Sequence, residues 1–205
     1  MNVAVLGGTG AFGSALARRL VEADVDVTVG SRDPARAAAT AQEVGAAHGA
    51  SNADAVTGAD LVVLSVGARA ALDTAAGLAV LIAETPVLSV CSELRITNRV
   101  AAPGDEALSL AERIQQVLRA PVVAGLHSLA AASLAAGKAE GDALVCGDDE
   151  TVKALALELA ATLVTGRALD AGPLASARAL EGMTAVIVNL NRRYGGHAGL
   201  QVVGQ

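Results

Sequence analysis

The composition of this 205-residue chain limits what the protein can be. With 53% hydrophobic and 1% aromatic residues, the chain can bury a sizeable core, which must be built from Val, Leu, Ile and Ala. The net charge of −6, without any cluster of Lys and Arg, argues against general nucleic-acid binding. The apolar stretch 184–190 is too short to span a bilayer and the N-terminus resembles a strand rather than a leader, so we expect no membrane partner and a cytoplasmic location.

Strand and helix patterns alternate through the first 125 residues. Apolar or β-branched runs predict strands at 3–6, 25–29, 61–66, 87–90 and 122–125, and helical spacing predicts helices at 12–22, 34–45, 52–57, 68–83 and 105–118. Strands separated by helices imply parallel pairing through right-handed crossovers. The sequence therefore predicts an α/β protein with a Rossmann-type, doubly wound parallel sheet.

The pattern changes after about Leu126. Short strands are predicted at 143–146 and 167–169, and helices at 150–164 and 173–194. We expect a dinucleotide-binding domain at 1–127 and a smaller C-terminal α/β unit at 128–205 that closes the cofactor cleft. The last helix is apolar nearly all round at 184–190, which favours burial at a domain or subunit interface and suggests a homodimer.

A glycine-rich segment separates the first strand from the first helix. Gly8, Gly10 and Gly13 fit G-x-G-x-x-G, in which the glycines permit a tight turn, close approach of a pyrophosphate and close helix packing, respectively. The phosphates would lie at the helix N-terminus, where free N–H groups attract anions. The simpler alternative is a glycine-rich turn without a ligand. The predicted phosphate cradle comprises Gly8, Thr9, Gly10, Ala11, Phe12 and Gly13.

The end of the second predicted strand favours NADP over NAD. NAD sites carry Asp or Glu there for the ribose hydroxyls, whereas this chain has Ser31 and Arg32. Ser31 can donate to a 2′-phosphate, Arg32 can form a charge-assisted contact, and Arg36 is a second candidate. The alternative is that Ser31 caps the next helix and Arg32 is solvated.

The ends of the third and fourth predicted strands are candidates for contact with the nicotinamide half. Ligands of open parallel sheets bind beyond the carboxyl ends of the strands. Small residues at Gly67 and Ala68 leave room for a flat ring, although turn chemistry alone could explain them. The predicted contact residues are Ser65, Val66, Gly67, Ser89, Val90 and Cys91.

Metal chemistry is not predicted. Cys91 and Cys146 match no metal spacing and are expected to be buried thiols. The acidic run 148–150 is better explained as a helix start than as a metal site, because adjacent carboxylates do not face one another on a helix.

Five segments in order resemble the NADPH-dependent reductases of the 5-deazaflavin coenzyme F420. They read GGTGAFGSALARRL, VTVGSRDPARA, VVAGLHSL, VCGDDE and LDAGPLASARALEGMTAVIVNLN, and the resemblance extends from residue 1 to about residue 203. It implies an oxidoreductase with NADP across the first domain and coenzyme F420 in the cleft against the second unit. Hydride would pass between nicotinamide C4 and deazaflavin C5 in either direction, without a protein nucleophile.

The resemblance also implies a role for His127. It places this side chain beside the deazaflavin, where it could hydrogen-bond a ring carbonyl or accommodate charge, with Ser128 and Leu129 in the same wall. The residues alone would favour a loop histidine that is satisfied by backbone groups. His127 is therefore both the candidate catalytic residue and a candidate cofactor contact.

The chain departs from the family around the presumed ring pocket. Family members often carry prolines after the third strand, in the fourth-strand loop and after the GLHS-like segment, where this chain has residues 67–69, 89–93 and Ala130. Two alternatives therefore stay open. One is an NADPH-dependent reductase of an imine, a flavin or a ferric chelate, and the other is a noncatalytic NADPH-binding sensor.

Overall fold

The computed structural model describes residues 1–204, which form a mixed eight-stranded sheet with helices on both faces and a separate two-stranded hairpin. The strands are β1 (Asn2–Leu6), β2 (Asp26–Ser31), β3 (His48–Ser51), β4 (Leu61–Leu64), β5 (Val87–Ser89), β6 (Leu94–Thr97), β7 (Val100–Pro103), β8 (Val122–Gly125), β9 (Ala143–Gly147) and β10 (Ala168–Asp170). The helices are α1 (Ala11–Glu22), α2 (Pro34–Val44), α3 (Asn52–Val56), α4 (Ala68–Ile82), α5 (Leu110–Val117), α6 (Ala131–Ala136), α7 (Glu150–Leu163) and α8 (Ala177–Tyr194). No helix within the described range is both long and apolar enough to cross a bilayer.

The order of the strands confirms the doubly wound fold. The sheet reads β10-β9-β8-β5-β4-β1-β2-β3, and the strands from β3 to β8 in this order are parallel. The chain runs from β1 outwards to β3 and then returns to the other side of β1 as β4. This reversal is the switch point at which open α/β sheets bind ligands.

One strand pair corrects the expected parallel pairing. β9 runs antiparallel to β8, while β10 is parallel to β9. The only helix between β8 and β9 is α6, whose six residues advance about 9 Å, too little for an ordinary crossover helix. The chain therefore re-enters the sheet from the end at which β8 left it.

Two buried layers cover the sheet, as expected for strands that are apolar on both faces. Val3 and Val5 pack with α1 on one face, whereas Ala4 and Leu6 pack with α4 and α5 on the other. All four side chains are fully buried. This alternation fixes the register of β1 at the centre of the molecule.

The strands after residue 128 join the same sheet rather than forming a sheet of their own. α8 packs against α5 and the β6–β7 hairpin. The side-chain amide of Asn189 accepts from the N–H of Ala101 in β7 and donates to the carbonyl of the same residue, at 2.8 Å each. The division of the chain at residues 127 and 128 stays a prediction.

Several elements differ from those predicted. β3 lacks β-branched residues and forms through its pairing with β2, and the β6–β7 hairpin turns at Asn98 and Arg99, both with positive φ. α5 begins after Ser109, which forms a capping box with Glu112, rather than at residue 105. A single 3₁₀ turn, 174–176, follows Pro173, so the last helix begins later than predicted.

Candidate functional site

The glycine turn joins β1 to α1 at the switch point. The backbone N–H groups of Gly7 and Gly8 donate to the carbonyl of Gly30, which ties the turn to the end of β2. A Cβ on Gly13 would lie 2.5 Å from the carbonyl of Gly7, so α1 can approach the turn this closely only with glycine there. Gly10 caps α1 without a side-chain bond, which leaves N–H groups of the first turn free for an anion.

A cavity of about 560 Å³ opens above this turn, and we call it the glycine-turn cavity. It is lined by Gly7, Thr9, Gly10, Ser31, Arg32, Asp33, Arg36, Asn52, Val66, Gly67, Ala70 and Thr74. The structure thus brings together the predicted glycine turn and all three residues predicted for the 2′-phosphate. Arg32 and Arg36 both lie where β2 ends and α2 begins, so the cations of the cavity are at the same end of it.

The polar corner of this cavity is organised by Ser31. This residue is 7% exposed, and its Oγ accepts a hydrogen bond from the backbone N–H of Asp33 at 3.2 Å and lies 3.5 Å from Oγ1 of Thr9. The cap of α2 is Asp33, which accepts from the N–H groups of Ala35 and Arg36, and not Ser31. The capping alternative for Ser31 is therefore wrong.

Arg32 and Arg36 supply the positive charge of the corner. Both are exposed, and within residues 1–204 neither guanidinium forms an ion pair. A multiply charged anion at this end of the cavity would meet two cations and the Ser31 hydroxyl, which suits a 2′-phosphate.

Asn52 also lines the glycine-turn cavity and was missed as a site residue. It is the first residue of α3, whose cap is Ser51, which accepts from the N–H of Asp54 at 3.1 Å. The Oδ1 of Asn52 is buried and finds no hydrogen-bond partner in the part of the chain that the structure describes. Only the pairing of β3 with β2, which the sequence pattern did not indicate, brings this side chain to the cavity.

A second, smaller cavity of about 250 Å³ lies beyond the ends of β4, β5 and β8, and we call it the histidine pocket. It shares Val66 and Gly67 with the glycine-turn cavity, so the two spaces adjoin. Its lining is Phe12, Ser65, Val66, Gly67, Ala68, Val90, Cys91, Ser92, Leu94, Leu126, His127, Leu129 and Thr184. A long ligand could therefore extend from the glycine turn to the histidine pocket.

His127 lies in the wall of this pocket and is 6% exposed. It follows Leu126, whose φ of +65° turns the chain sharply after β8. Its Nδ1 lies 3.1 Å from Oγ of Ser92, while its Nε2 is buried and has no hydrogen-bond partner in the range 1–204. Burial lowers the pKa of His127 to about 4, so the ring is neutral near pH 7.

Ser92 and Thr184 surround His127 and were not predicted. Oγ of Ser92 lies 2.7 Å from Oγ1 of Thr184, and Oγ1 of Thr184 donates to the carbonyl of His127 at 2.9 Å. Ser92 is 35 residues from His127 in sequence, and Thr184 is 57 residues away, so no local pattern could have indicated the cluster.

Cys91 is an inert part of the pocket wall. Burial raises the pKa of its thiol to about 12, and its Sγ lies 3.1 Å from the carbonyls of Leu64 and Val66. The group therefore stays a protonated thiol and is not a nucleophile.

Some predicted residues lie outside both cavities. Ser89 is fully buried, while Ser128 is 2% exposed and donates to the carbonyl of Asp142. Gly8 and Gly13 are buried beneath the turn, and Ala11 is exposed at the start of α1. These residues therefore form part of the scaffold beneath the site and do not line either cavity.

The acidic run begins a helix, as predicted. Asp149 caps α7 through the N–H of Val152, Asp148 accepts from the N–H of Leu174, and Glu150 pairs with Lys153 at 2.9 Å. Across the described residues, no group of three or more His, Cys, Asp or Glu side chains is placed to hold a metal ion.

The two cavities fit a dinucleotide and a second flat ring. The glycine-turn cavity offers free N–H groups and two arginines that form no ion pair within the described residues. The histidine pocket offers apolar walls and, among the same residues, an unpartnered acceptor or donor at Nε2 of His127. Since the cavities adjoin at Val66 and Gly67, rings placed from either side could meet there. This arrangement suits transfer between two bound molecules without a covalent enzyme intermediate.

Comparisons with known proteins agree with this geometry. A sequence model of the family described as "NADP oxidoreductase coenzyme F420-dependent" matches residues 2–93. The F420-dependent NADP reductase of Methanothermobacter marburgensis is 32% identical, with 93% of this chain and 92% of that protein aligned. That of Methanothermobacter thermautotrophicus is also 32% identical, over 94% and 90% respectively.

The fold has a solved counterpart. A crystal structure from Arthrobacter sp. FB24, described as a candidate F420-dependent NADP-reductase, superposes with a TM-score of 0.87 and 27% identity over 100% of both chains. Sequence similarity over nearly the whole chain and a glycine turn in its expected place lead to one assignment. The chain belongs to the family of F420-dependent NADP reductases.

Proposed function

We propose that this chain is an oxidoreductase that transfers a hydride between NADP(H) and the 5-deazaflavin coenzyme F420. The observation that carries the proposal is the meeting of the glycine-turn cavity and the histidine pocket at Val66 and Gly67. NADPH supplies a hydride at nicotinamide C4, and oxidised F420 takes it up at C5 of its ring, with a proton completing the reduced form. The protein's task is to hold the two rings face to face and to exclude water.

The glycine-turn cavity holds NADP in this proposal. Thr9, Gly10 and the first turn of α1 bind the pyrophosphate, and Ser31, Arg32 and Arg36 bind the 2′-phosphate. Support comes from the polar corner around Ser31 and from two guanidinium groups that form no ion pair within residues 1–204.

The histidine pocket holds the deazaflavin ring. Phe12, Leu129 and Val90 provide apolar walls, and His127 provides the polar contact. His127 acts as a neutral group because its burial disfavours the charged imidazolium.

A second candidate function follows from the size of this pocket. A volume of about 250 Å³ also suits a compact acceptor such as an imine, and prolines common in the family are missing from residues 89–93. In that case NADPH would bind as proposed, but F420 would not be reduced. A noncatalytic NADPH-binding sensor would bind NADPH and reduce neither acceptor.

We also propose a cytoplasmic homodimer in which 1–127 binds the dinucleotide and 128–205 closes the cleft. α8 and the β6–β7 hairpin expose Ile96, Val100 and Val186, each more than half exposed. A face of this kind suits a self-complementary interface. A monomeric mass in light scattering at micromolar concentration would contradict the dimer.

The decisive assay mixes the purified protein with NADPH and oxidised coenzyme F420 and follows loss of the deazaflavin absorbance. We expect rapid reduction with NADPH and much slower reduction with NADH. Intact NADPH binding without F420 reduction would refute the proposed acceptor, and assays with an imine, a flavin and a ferric chelate would then separate the alternatives.

A further inference from the structure

Counting the hydrogens in the cluster around His127 determines which of its ring nitrogens carries a hydrogen. Three short contacts join His127, Ser92 and Thr184: 3.1 Å from Nδ1 to Oγ of Ser92, 2.7 Å between the two hydroxyl oxygens, and 2.9 Å from Oγ1 of Thr184 to the carbonyl of His127. Each hydroxyl carries a single hydrogen, so each can donate only once.

The carbonyl of His127 fixes the direction of all three hydrogen bonds. A carbonyl oxygen only accepts, so the hydrogen of Thr184 must point to it. The contact of 2.7 Å then needs the hydrogen of Ser92, and the contact with the imidazole needs a hydrogen on Nδ1. Any other assignment leaves two oxygens, or an oxygen and a nitrogen, in close contact without a hydrogen between them.

We propose that Ser92 and Thr184 are positioning residues that hold His127 as the neutral tautomer with its hydrogen on Nδ1, and that Nε2 therefore accepts a hydrogen bond from the second substrate. His127 lines the histidine pocket, and its buried Nε2 has no hydrogen-bond partner among residues 1–204, so a ligand in this pocket is the group that can satisfy it. This polarity differs from the expectation that His127 donates to a ring carbonyl.

The inference rests on the proposed function and names the chemistry that the site recognises. The second substrate must present an N–H or O–H group at the edge of its ring. The oxidised deazaflavin of coenzyme F420 has such groups, an N–H between two carbonyls at one end and a hydroxyl at the other. A ring edge with carbonyl acceptors alone would leave two acceptors in contact and bind poorly.

The loop that carries Ser92 is held in place by the residue before it. Ser92 comes directly after Cys91, whose thiol is buried beneath the same loop and is protonated. The loop is therefore anchored where Ser92 meets the imidazole.

The first test reads the tautomer directly. Two-bond nitrogen–hydrogen NMR correlations of the full chain, labelled at histidine and without ligand, distinguish a protonated Nδ1 from a protonated Nε2. His48 and His197 are both exposed and serve as references, and His127→Asn assigns the remaining signal. We expect a hydrogen on Nδ1 of His127, and a hydrogen on Nε2 in the wild type would overturn the proposal.

The second test moves the hydrogen without touching the imidazole. Thr184→Val frees the hydrogen of Ser92 to point at Nδ1, so we expect the signal to shift to the tautomer with hydrogen on Nε2. Thr184→Ser keeps the hydroxyl and should behave as the wild type, and Thr151→Val, at an exposed position of α7, is the matched control. An unchanged tautomer in Thr184→Val would refute the coupling between Thr184 and the tautomer of His127. If Thr184→Val does not fold, Ser92→Ala provides the same test.

The third test uses oxidised coenzyme F420 as the probe. Its titration should shift the Nε2 resonance while leaving Nε2 unprotonated, and a hydrogen on Nε2 in the complex would overturn the proposal. Ser92→Ala should raise KM for F420 about three- to tenfold and leave KM for NADPH unchanged. If the wild type does not reduce F420 but has the predicted tautomer, the proposed function fails and the assignment of the tautomer stands.

Discussion

The hydroxyl of Ser31 accepts a hydrogen bond from the backbone N–H of Asp33 at 3.2 Å, so this bond spans Arg32. This bond bends the chain between β2 and α2. Asp33 in turn caps α2, because its Oδ1 accepts hydrogen bonds from the N–H groups of Ala35 and Arg36. The carboxylate is thereby held at the start of α2, where Asp33 also lines the glycine-turn cavity.

Arg32→Ala should weaken the binding of NADPH much more than the binding of NADH. Only NADPH carries the 2′-phosphate, and a hydrogen bond to a charged group contributes about 1.5–3 kcal/mol, so we expect a loss of about ten- to a hundredfold for NADPH. Fluorescence titration with both nucleotides measures the difference. Arg18→Ala, an exposed arginine of α1 outside the cavity, is the control, and equal losses for NADPH and NADH would refute the role.

His127→Ala should spare NADPH binding and impair turnover of F420. His127 lines only the histidine pocket, so the dissociation constant of NADPH should stay within about twofold of the wild type. Loss of the contact at Nε2 should lower kcat/KM for F420 about tenfold or more. Steady-state kinetics with each substrate varied in turn will test this, and unchanged turnover would make His127 part of the scaffold.

Gly13→Ala should destabilise the fold. The new Cβ would lie 2.5 Å from the carbonyl of Gly7, so α1 must move away from the turn, at a cost of about 1–3 kcal/mol. Urea denaturation measures the loss. In Gly77→Ala of α4 the new Cβ meets nothing within 4 Å, and this control should instead gain about 0.5–1 kcal/mol from helix propensity. Equal effects of the two substitutions would contradict the packing argument.

His127 should make stability depend on pH between about 4 and 6.5. Its pKa is lowered to about 4 in the folded protein from an ordinary value of 6.5, because burial disfavours the charged ring. As the pH falls through this window, only the unfolded chain takes up the proton, so the free energy of unfolding decreases by up to about 3 kcal/mol. The stabilisation is fully present above pH 6.5.

Urea denaturation at several pH values, for the wild type and His127→Asn, isolates this contribution. The wild type should lose stability faster than the variant as the pH falls from 6.5 to 4. Cys91 does not change its charge in this window, because its thiol titrates near 12. Parallel curves for the two proteins would show that the imidazole is solvated in the folded state.

Glu181→Ala should be strongly destabilising. Its buried carboxylate accepts hydrogen bonds from the N–H groups of Leu110 at 3.1 Å and Ala111 at 3.0 Å, and so joins α8 to the start of α5. The substitution leaves both N–H groups buried without partners, which costs about 3 kcal/mol. Thermal unfolding measures the change, Glu158→Ala on the exposed face of α7 is the control, and a loss no larger than in the control would contradict the prediction.

The sequence by itself determined the Rossmann-type sheet, the glycine turn and the Ser31–Arg32 corner. These features depend on short segments, in which the alternation of strand and helix and the spacing of glycines are set by local backbone geometry. Family resemblance added His127, which the residues alone would have left as an ordinary loop histidine.

Only the tertiary structure decided what surrounds these segments. The antiparallel entry of β9, the arrival of Asn52 at the glycine-turn cavity and the contacts of Ser92 and Thr184 with His127 all depend on pairing between distant parts of the chain. A single sequence carries no periodic signal for such contacts. The direction in which His127 hydrogen-bonds is therefore set by neighbours 35 and 57 residues away, because a hydroxyl has one hydrogen and its partners determine where that hydrogen points.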